Sequence, residues 1–392
     1  FITRFARYYT PIVVIIAVLL ALIPPLVIDG AEFKDWIYRA LSFLVVSCPC
    51  ALVISVPLSF FGGIGGASKK GILVKGGNYL EVLAQTETIV FDKTGTLTKG
   101  VFEVQKITSV GISEEELLEI SAYAEYYSSH PISNSIKRAY KGDIDSNRIS
   151  KVDEIPGHGV EAIIDGKQIL AGNSKLMDRM EIPYKPEELA GTTVYVAVGG
   201  RYVGSILIAD EIKSDSLEAI KGLKGSGISN TVMLTGDNKG AGMAVAKELG
   251  ISKVYTDLLP ADKVDKIEEL FEEKSDKGKL AFVGDGINDA PVLARADVGI
   301  AMGGLGSDAA IEAADIVIMD DKPSKITTAI KIAKKTLGIA YQNIVFAIGV
   351  KVIVLILSGL GFATMWAAVF ADVGVTVIAI LNSFRALKVK DL

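Results

Sequence analysis

Four long apolar runs constrain the fold of this chain more than any other feature of its sequence. Each is near or above the roughly 20 residues that a helix needs to cross a bilayer. Their bounds are 11–28, 36–62, 338–360 and 362–384. Short loops join them in two pairs, and about 275 residues of mixed composition separate the pairs. We therefore expect four membrane helices in two hairpins, residues 1–65 and 337–392, in contact with a lipid bilayer.

Positive charge indicates which side of the membrane the insert occupies. Most basic residues near the run ends fall on the side of the insert: Arg4, Arg7, Lys69, Lys70, Lys75, Lys331, Lys334, Lys335, Arg385, Lys388 and Lys390. The positive-inside rule then predicts that the insert and both termini are cytosolic, and we expect the membrane to be the plasma (inner) membrane. A signal peptide is the alternative for the first run. Because the chain starts with Phe1 rather than Met, we expect a fragment or a processed product.

The charge balance argues against nucleic acid as a partner. The chain has 41 Lys and Arg against 46 Asp and Glu, for a net charge of −5. A nucleic-acid-binding surface needs an excess of basic residues, which this composition does not supply.

Within the insert, short apolar strands end in acidic or glycine-rich turns. The three segments are "ETIVFDKTGT" (87–96), "TVMLTGDN" (231–238) and "KLAFVGDGIND" (279–289). Helical patterns such as 239–249 and 262–273 alternate with them. This alternation predicts a doubly wound α/β domain with its chemistry at the carboxyl ends of the strands. We assign residues 66–100 and 210–336 to that domain and 101–209 to an inserted α+β domain.

The strand-end turns suggest phosphoryl transfer. Asp92, at the end of a strand and followed by Lys-Thr-Gly-Thr, is a candidate covalent nucleophile. A carboxylate brought against a polyanion needs a divalent cation and a lysine, which Asp285 and Lys263 can supply. Mg²⁺ suits such hard oxygen ligands.

These motifs resemble the phosphorylation-domain signatures of P-type ATPases, which have a haloacid-dehalogenase-like fold. The matching segments are "DKTGTLT" (92–98), "TGDN" (235–238) and "GDGINDAP" (284–291). The resemblance implies that Asp92 accepts the γ-phosphate of ATP, which Thr235 and Lys263 hold, within the "TGD" turn that includes Gly236 and Asp237. It also implies that Asp285 binds Mg²⁺ with Asp92 and the Thr94 carbonyl, supported by Asn288 and Asp289.

The inserted domain resembles the nucleotide pocket of the heavy-metal-transporting class. The matching residues are "SHP" (129–131) with Glu125 upstream, and "GHG" (157–159) and "GN" (172–173) downstream. The resemblance implies that Glu125 and His130 contact the adenine region. Gly157 and Gly159 would let the backbone approach the nucleotide, and Gly172 and Asn173 complete the expected pocket.

"SCPC" (47–50) lies in an apolar run and contains both cysteines of the chain. Two cysteines this close in one helix cannot form an ordinary disulfide, so we expect free thiols or ligands. Residues two apart in a helix point away from each other, but Pro49 breaks the helix and can let Cys48 and Cys50 face one ion. Thiolates suit zinc or cadmium, and Cys-Pro-Cys also resembles the membrane motif of heavy-metal pumps.

Two ionisable residues in the last hairpin refine the expected cargo. Lys351 and Asp372 lie inside apolar runs, where charged residues are costly and mark function. Two thiolates and the Asp372 carboxylate carry three negative charges, which a divalent ion and the Lys351 counter-charge neutralise. "FADVGVT" (370–376) and the lysine resemble the zinc, cadmium and lead branch. We expect export of such an ion, with a copper pump as the alternative.

One departure and two rival functions remain. P-type ATPases carry an actuator domain with Thr-Gly-Glu and earlier helices, which we do not find in this sequence and expect in a full-length protein. A membrane-tethered phosphatase of the haloacid dehalogenase type would want an acid where Thr94 stands. A non-catalytic metal-binding membrane protein would not need Asp92.

Overall fold

The computed structural model describes residues 2–186, 191–285, 289–303, 308–359 and 365–389. The helices of these ranges are α1 Ile2–Val27, α2 Phe33–Val46, α3 Cys50–Ser68, α4 Gly77–Ala84, α5 Glu114–Ala124, α6 Pro131–Ala139, α7 Ser174–Arg179, α8 Ser216–Gly225, α9 Lys239–Leu249, α10 Pro260–Glu273, α11 Ala290–Arg295, α12 Asp308–Ala313, α13 Ser324–Gly359 and α14 Met365–Ser383.

The strands are shorter and concentrate between residues 72 and 318. Their bounds are β1 Ile72–Val74, β2 Thr86–Asp92, β3 Thr98–Ser109, β4 Ile149–Ile155, β5 Gly159–Ile164, β6 Lys167–Gly172, β7 Thr192–Val198, β8 Arg201–Ile212, β9 Asn230–Leu234, β10 Lys253–Tyr255, β11 Lys279–Gly284, β12 Val298–Met302 and β13 Ile316–Ile318. By compactness the chain divides into two units, which we describe separately. The first comprises residues 1–86, 315–319 and 327–392, and the second comprises 87–314 and 320–326.

The first unit is mainly helical. Three helical segments of the described chain are long and apolar enough to cross a membrane, namely Tyr9–Val27, Cys50–Ser68 and Ser324–Leu357. The predicted run 36–62 is not one helix, because α2 ends at Val46 and α3 begins at Cys50. Pro49 lacks the backbone N–H that would continue the helix, which accounts for the break.

Five parallel strands form the centre of the second unit. Their order is β12–β11–β2–β9–β10, and helices alternate with strands along the chain from α8 onward. Strands β2, β9 and β11 are almost entirely buried, as a parallel sheet covered on both faces requires. This arrangement brings Asp92, Thr235 and Asp285 to the same edge of the sheet.

The insertion between β2 and α8 forms its own antiparallel sheet, in the order β3–β8–β7–β6–β5–β4. Alternate residues of β6 and β7 face opposite sides. Ala171 and Val196 belong to a core with α5 and α6, whereas Leu170 and Tyr195 pack with α7. The first and last strands, β3 and β8, pair from Thr98↔Ile212 to Ser109↔Gly204. The insertion thus leaves and re-enters the parallel domain at one place.

Candidate functional site

Asp92 ends strand β2 and is buried, with 6% of its surface exposed. The chain then turns sharply through Gly95, whose φ is +72°. A Cβ atom on Gly95 would lie 2.4 Å from Oδ2 of Asp285. Glycine is therefore required here both by the left-handed backbone and by the close approach of the Asp285 carboxylate.

Three carboxylates converge beyond the strand ends. Oxygens of Asp92, Asp285 and Asp289 lie within 4.8 Å of one another. Lys263, from helix α10, donates to Oδ1 of Asp92 at 2.6 Å and to Oδ1 of Asp289 at 2.8 Å. Burial and the nearby Asp289 raise the pKa of Asp92 to about 7, although Lys263 opposes that rise. Hard oxygen donors in this arrangement fit Mg²⁺.

The turn after β9 lies beside this cluster. Thr235 is buried, and its hydroxyl oxygen accepts a hydrogen bond from the Asp237 backbone N–H at 3.1 Å. Gly236 lies between them, and a Cβ there would approach the Leu258 carbonyl oxygen at 3.2 Å. Thr94 is exposed in the turn after Asp92. Asn288 lies outside the described residues.

The sequence analysis did not identify three charged residues around the Asp92 turn, namely Lys93, Asp210 and Lys213. Lys93 pairs with Asp237 and lies 4.0 Å from Asp210 on β8. Lys213 donates to the Gly95 carbonyl oxygen at 2.7 Å and pairs with Asp321 at 2.9 Å. Lys93 directly follows Asp92, and "DEIK" (210–213) follows the apolar residues of β8. Both segments are therefore polar ends of apolar strands, a pattern that the sequence shows.

The predicted nucleotide residues line a cleft of about 500 Å³ in the inserted domain. Glu125 is buried at the end of α5, and the Ser133 hydroxyl donates to its Oε2 at 2.6 Å. Burial raises the pKa of Glu125, whereas Ser133 and His130 oppose that rise. His130 is exposed and caps α6, its Nδ1 accepting from the Ile132 N–H at 3.3 Å.

The glycines of this cleft have a second reason to be glycine. A Cβ on Gly159 would lie 2.2 Å from the Ala171 carbonyl oxygen, and one on Gly172 would lie 2.3 Å from the His158 carbonyl oxygen. Both positions are therefore fixed by close contact between β5 and β6. Gly157, with φ +73°, has open space instead. Asn173 donates to the Gly157 carbonyl oxygen at 2.9 Å and so holds the loop.

The break at Pro49 overturns one prediction about the cysteines. We expected free thiols, but the structure joins Cys48 and Cys50 in a disulfide. That expectation assumed both residues in one helix, whereas Cys48 lies outside α3 and Cys50 begins it. The Cα atoms are 5.5 Å apart, a separation that a disulfide can span. Reduction of this bond would release two adjacent thiolates for a metal.

The two intramembrane charges of the last hairpin lie together. Lys351 on α13 and Asp372 on α14 form an ion pair at 3.2 Å, and both side chains are largely buried. A pair of opposite charges reduces the cost of placing either in an apolar region. The structure thus brings together the carboxylate and the counter-charge that the sequence reasoning linked.

The fold and the strand-end carboxylates define a phosphoryl-transfer class, and comparison with known proteins identifies the family. The model of the haloacid dehalogenase-like hydrolases matches residues 86–297. The chain therefore belongs to the haloacid dehalogenase-like hydrolase family. The α/β fold expected from the sequence is confirmed.

Its relatives in this family are metal-transporting ATPases. The cadmium, zinc and cobalt-transporting ATPase of Bacillus subtilis (strain 168) is 60% identical over 100% of this chain and 56% of its own length. The zinc-transporting ATPase of Synechocystis sp. (strain ATCC 27184 / PCC 6803 / Kazusa) is 56% identical over 99% of this chain and 54% of its own length. The chain thus spans about half the length of these curated relatives.

A solved structure extends the match to three dimensions. The crystal structure of a zinc-transporting PIB-type ATPase in the E2.Pi state superposes with a TM-score of 0.88 at 37% identity, over 99% of this chain and 64% of that one. The predicted resemblance to the C-terminal portion of heavy-metal-transporting P-type ATPases is confirmed. With the apolar helices, these comparisons identify an integral membrane protein.

Proposed function

We propose that the full-length protein exports a divalent soft or borderline metal ion, driven by ATP through an aspartyl phosphate on Asp92. The observation that carries this proposal is the convergence of Asp92, Asp285 and Asp289 on Lys263 at the strand ends. A carboxylate held this way is accessible to a phosphoryl group only when positive charge offsets its neighbours. Lys263 and a bound Mg²⁺ would together supply that positive charge.

The residues of the site have distinct parts in phosphoryl transfer. A carboxylate oxygen of Asp92 attacks the γ-phosphorus of ATP, and the bond to the bridging β–γ oxygen breaks to release ADP. Lys263 and the Thr235 hydroxyl hold the transferred group. Asp92, Asp285 and the Thr94 carbonyl would hold Mg²⁺, and Asp289 and Asn288 would support these ligands. Mg²⁺ bound there supplies charge neutralisation for the phosphoryl oxygens.

The inserted domain holds the rest of the nucleotide. Glu125 and His130 contact the adenine region, and the loop from Gly157 to Gly159, fastened by Asn173, covers it. Adenine recognition would thus belong to the inserted domain and phosphoryl chemistry to the parallel-sheet domain. Nucleotide binding and phosphorylation are therefore separable by mutation.

The cargo follows from the membrane residues. Reduced Cys48 and Cys50 with Asp372 supply soft and hard donors, and Lys351 balances the charge of a divalent ion. Relatives named for cadmium, zinc and cobalt support this branch. A copper pump would leave an uncompensated negative charge at the same site. Zinc, cadmium and lead are the ions we propose, with the insert and termini on the cytosolic side of the plasma membrane.

Labelling from ATP tests the proposal. Asp92→Asn in the full-length protein should abolish acid-stable labelling from [γ-³²P]ATP while nucleotide binding persists, because residues 101–209 bind the adenine. Asp276→Asn, an exposed carboxylate on another loop, is the matched control and should label normally. Labelling retained by Asp92→Asn would contradict the proposal, and wild-type protein that releases phosphate without a stable phosphoenzyme would favour the membrane-tethered phosphatase.

A further inference from the structure

A buried polar cluster joins the three helices that carry the proposed metal-site residues. It consists of Ser55 and Ser59 on α3, Asn343 on α13 and Ser383 on α14, and we call it the serine–asparagine cluster. All four residues are at most 2% exposed. None belongs to the metal site or to the phosphorylation site. Polar groups in such helices are costly unless they are hydrogen-bonded.

Asn343 is the centre of this cluster. Its Nδ2 donates to the Ala379 carbonyl oxygen at 3.1 Å and to Oγ of Ser383 at 2.9 Å, and it lies 3.4 Å from Oγ of Ser59. Its Oδ1 accepts from Nδ2 of Asn382 at 2.9 Å. One amide group of α13 therefore contacts both α3 and α14.

The serines complete the connection between α3 and α14. Ser383 Oγ donates to the Ser55 carbonyl oxygen at 2.9 Å, and Ser59 Oγ donates to Ser383 Oγ at 2.9 Å. Interhelical hydrogen bonds of this kind fix the relative position of membrane helices, because the hydrophobic effect does not drive helices together within lipid. The cluster thus sets the register of all three helices.

The acceptors also fix the orientation of the Asn343 amide. The Ala379 carbonyl can only accept a hydrogen bond, so the amide nitrogen of Asn343, and not its oxygen, faces it. The N–H groups then point into the cluster, toward Ala379 and Ser383. The geometry is that of a clamp between helices.

Packing connects the clamp to the proposed metal site. Asn343, Ala347 and Lys351 recur every four residues on α13 and so lie on one side of the helix. Ala347 is buried in a small apolar core with Ala51 and Leu52 of α3 and Val375 of α14. Val375 follows Asp372 by one turn, and Ala51 follows Cys50. One apolar layer therefore separates the clamp from the Cys50, Lys351 and Asp372 positions.

Resting on the proposed function, we propose that Asn343 is a positioning residue for the transported ion. It holds α3, α13 and α14 in the register that lets Cys50 and Asp372 reach one ion with Lys351 beside it. Residues that hydrogen-bond metal ligands commonly change metal affinity by about 10- to 100-fold when mutated, and a residue one apolar layer away should act at the lower end of that range. Loss of the clamp should therefore be visible at the metal itself.

The test compares Asn343→Leu with Gln342→Leu in the full-length protein, reduced and freed of metal. Gln342 is the neighbouring, exposed residue of the same helix, so it matches the change in chemistry. Zinc affinity is measured by competition with a chromophoric chelator, and Co²⁺ absorption reports thiolate coordination and geometry. We expect Asn343→Leu to bind zinc about tenfold more weakly and to shift the Co²⁺ d–d bands, while Gln342→Leu resembles wild type.

The outcomes separate this inference from the function on which it rests. If the Cys48→Ala and Cys50→Ala variants bind zinc as tightly as the wild type, the proposed function is contradicted. Cysteine-dependent binding with unchanged affinity and Co²⁺ spectrum in Asn343→Leu would overturn the clamp alone. If Asn343→Leu does not fold, Ser383→Ala decides, since it keeps the Asn343–Ala379 bond: a smaller shift in the same direction supports the clamp, and no shift overturns it.

Discussion

Lys263 pairs with two acidic side chains through one amine, and the proposed phosphorylation site depends on it for that reason. Its Nζ lies 2.6 Å from Asp92 and 2.8 Å from Asp289, and its side chain is 11% exposed. Without that amine, the carboxylates of Asp92, Asp285 and Asp289 would face one another. Among the described contacts of Asp92, no other cationic side chain lies as close. Their mutual repulsion would be felt strongly because the site is buried.

Ser133 provides a prediction at the same scale. Its hydroxyl opposes the burial-induced rise in the pKa of Glu125, so Ser133→Ala should raise that pKa further. The Glu125 carboxylate would then be protonated at a higher pH and would accept less well from the adenine amino group. We expect ATP affinity about fivefold weaker, or ~1 kcal/mol, with the loss growing as the pH falls.

Calorimetric titration with a non-hydrolysable ATP analogue at several pH values measures this effect. Ser146→Ala is the control, because Ser146 is an exposed serine of the same domain and lies outside the predicted nucleotide residues. An unchanged pH dependence in Ser133→Ala would show that the Glu125 carboxylate does not serve the nucleotide.

Single residues differ in how far sequence reveals them. Asp92 and Asp285 stand at the ends of apolar strands, so the strand pattern alone placed them at one edge of a sheet. Lys213 is more than 100 positions from the Gly95 carbonyl that it contacts. Such a pairing depends on the antiparallel register of β3 and β8, which hydrophobic alternation does not determine.

At the scale of secondary-structure elements, the turn after β2 has the tightest geometric requirement. Gly95→Ala places a Cβ 2.4 Å from the Asp285 carboxylate and forces a left-handed backbone on alanine. We expect a loss of stability of about 1–2 kcal/mol together with loss of Mg²⁺-dependent phosphorylation, because Asp285 must move.

Gly111→Ala is the matched control for this turn. Gly111 has a similar φ of +79° but nothing within 4 Å of its Cβ position. It should lose comparable stability in thermal unfolding and keep its labelling from ATP. Equal labelling in the two variants would mean that the Asp285 position is not critical.

Elements themselves were predicted well where a local signal marks their ends. The helical pattern 239–249 coincides with α9, and 262–273 falls within α10, whose start is set by Pro260. The break at Pro49 followed from proline chemistry. The disulfide could not be predicted in the same way, because its formation depends on the position of Cys48 relative to α3 after the break.

At the scale of the whole molecule, the proposed cargo site draws on residues more than 300 positions apart in the sequence. Asp372→Ala should lower zinc stoichiometry at the membrane site and reduce stability, since it removes a ligand and leaves Lys351 without its ion pair. Lys351→Ala keeps all ligands, so it should still bind zinc, but ATPase activity should depend less on added zinc.

Metal counting and ATPase assays on the full-length protein, with any N-terminal metal-binding module deleted, decide this point. Asp35→Ala is the control, an exposed acid near the start of α2. If Asp372→Ala binds zinc as fully and tightly as wild type, the carboxylate is not a ligand and the charge balance proposed for the site is wrong.

Hydropathy predicts which long segments can cross a membrane, and three helices of the described residues are long and apolar enough to do so. The two hairpins and the bounds of the domains stay predictions. The serine–asparagine cluster was not accessible, since single serines and an asparagine in apolar helices carry no periodic signal. Only the packing of three distant helices shows that they meet.

The pairing of β3 with β8 has a consequence for protein engineering. Phe102 and Asp210 are direct partners across the two strands, so the ends of the segment between them lie about 5 Å apart. A segment whose ends lie this close can be deleted and replaced by a tight turn, or circularly permuted, without distorting the parallel-sheet domain that contains it. The inserted domain is thus topologically detachable from the parallel-sheet domain. Any such excision must stop short of Thr98, whose hydroxyl bonds the Lys93 carbonyl oxygen beside the nucleophile.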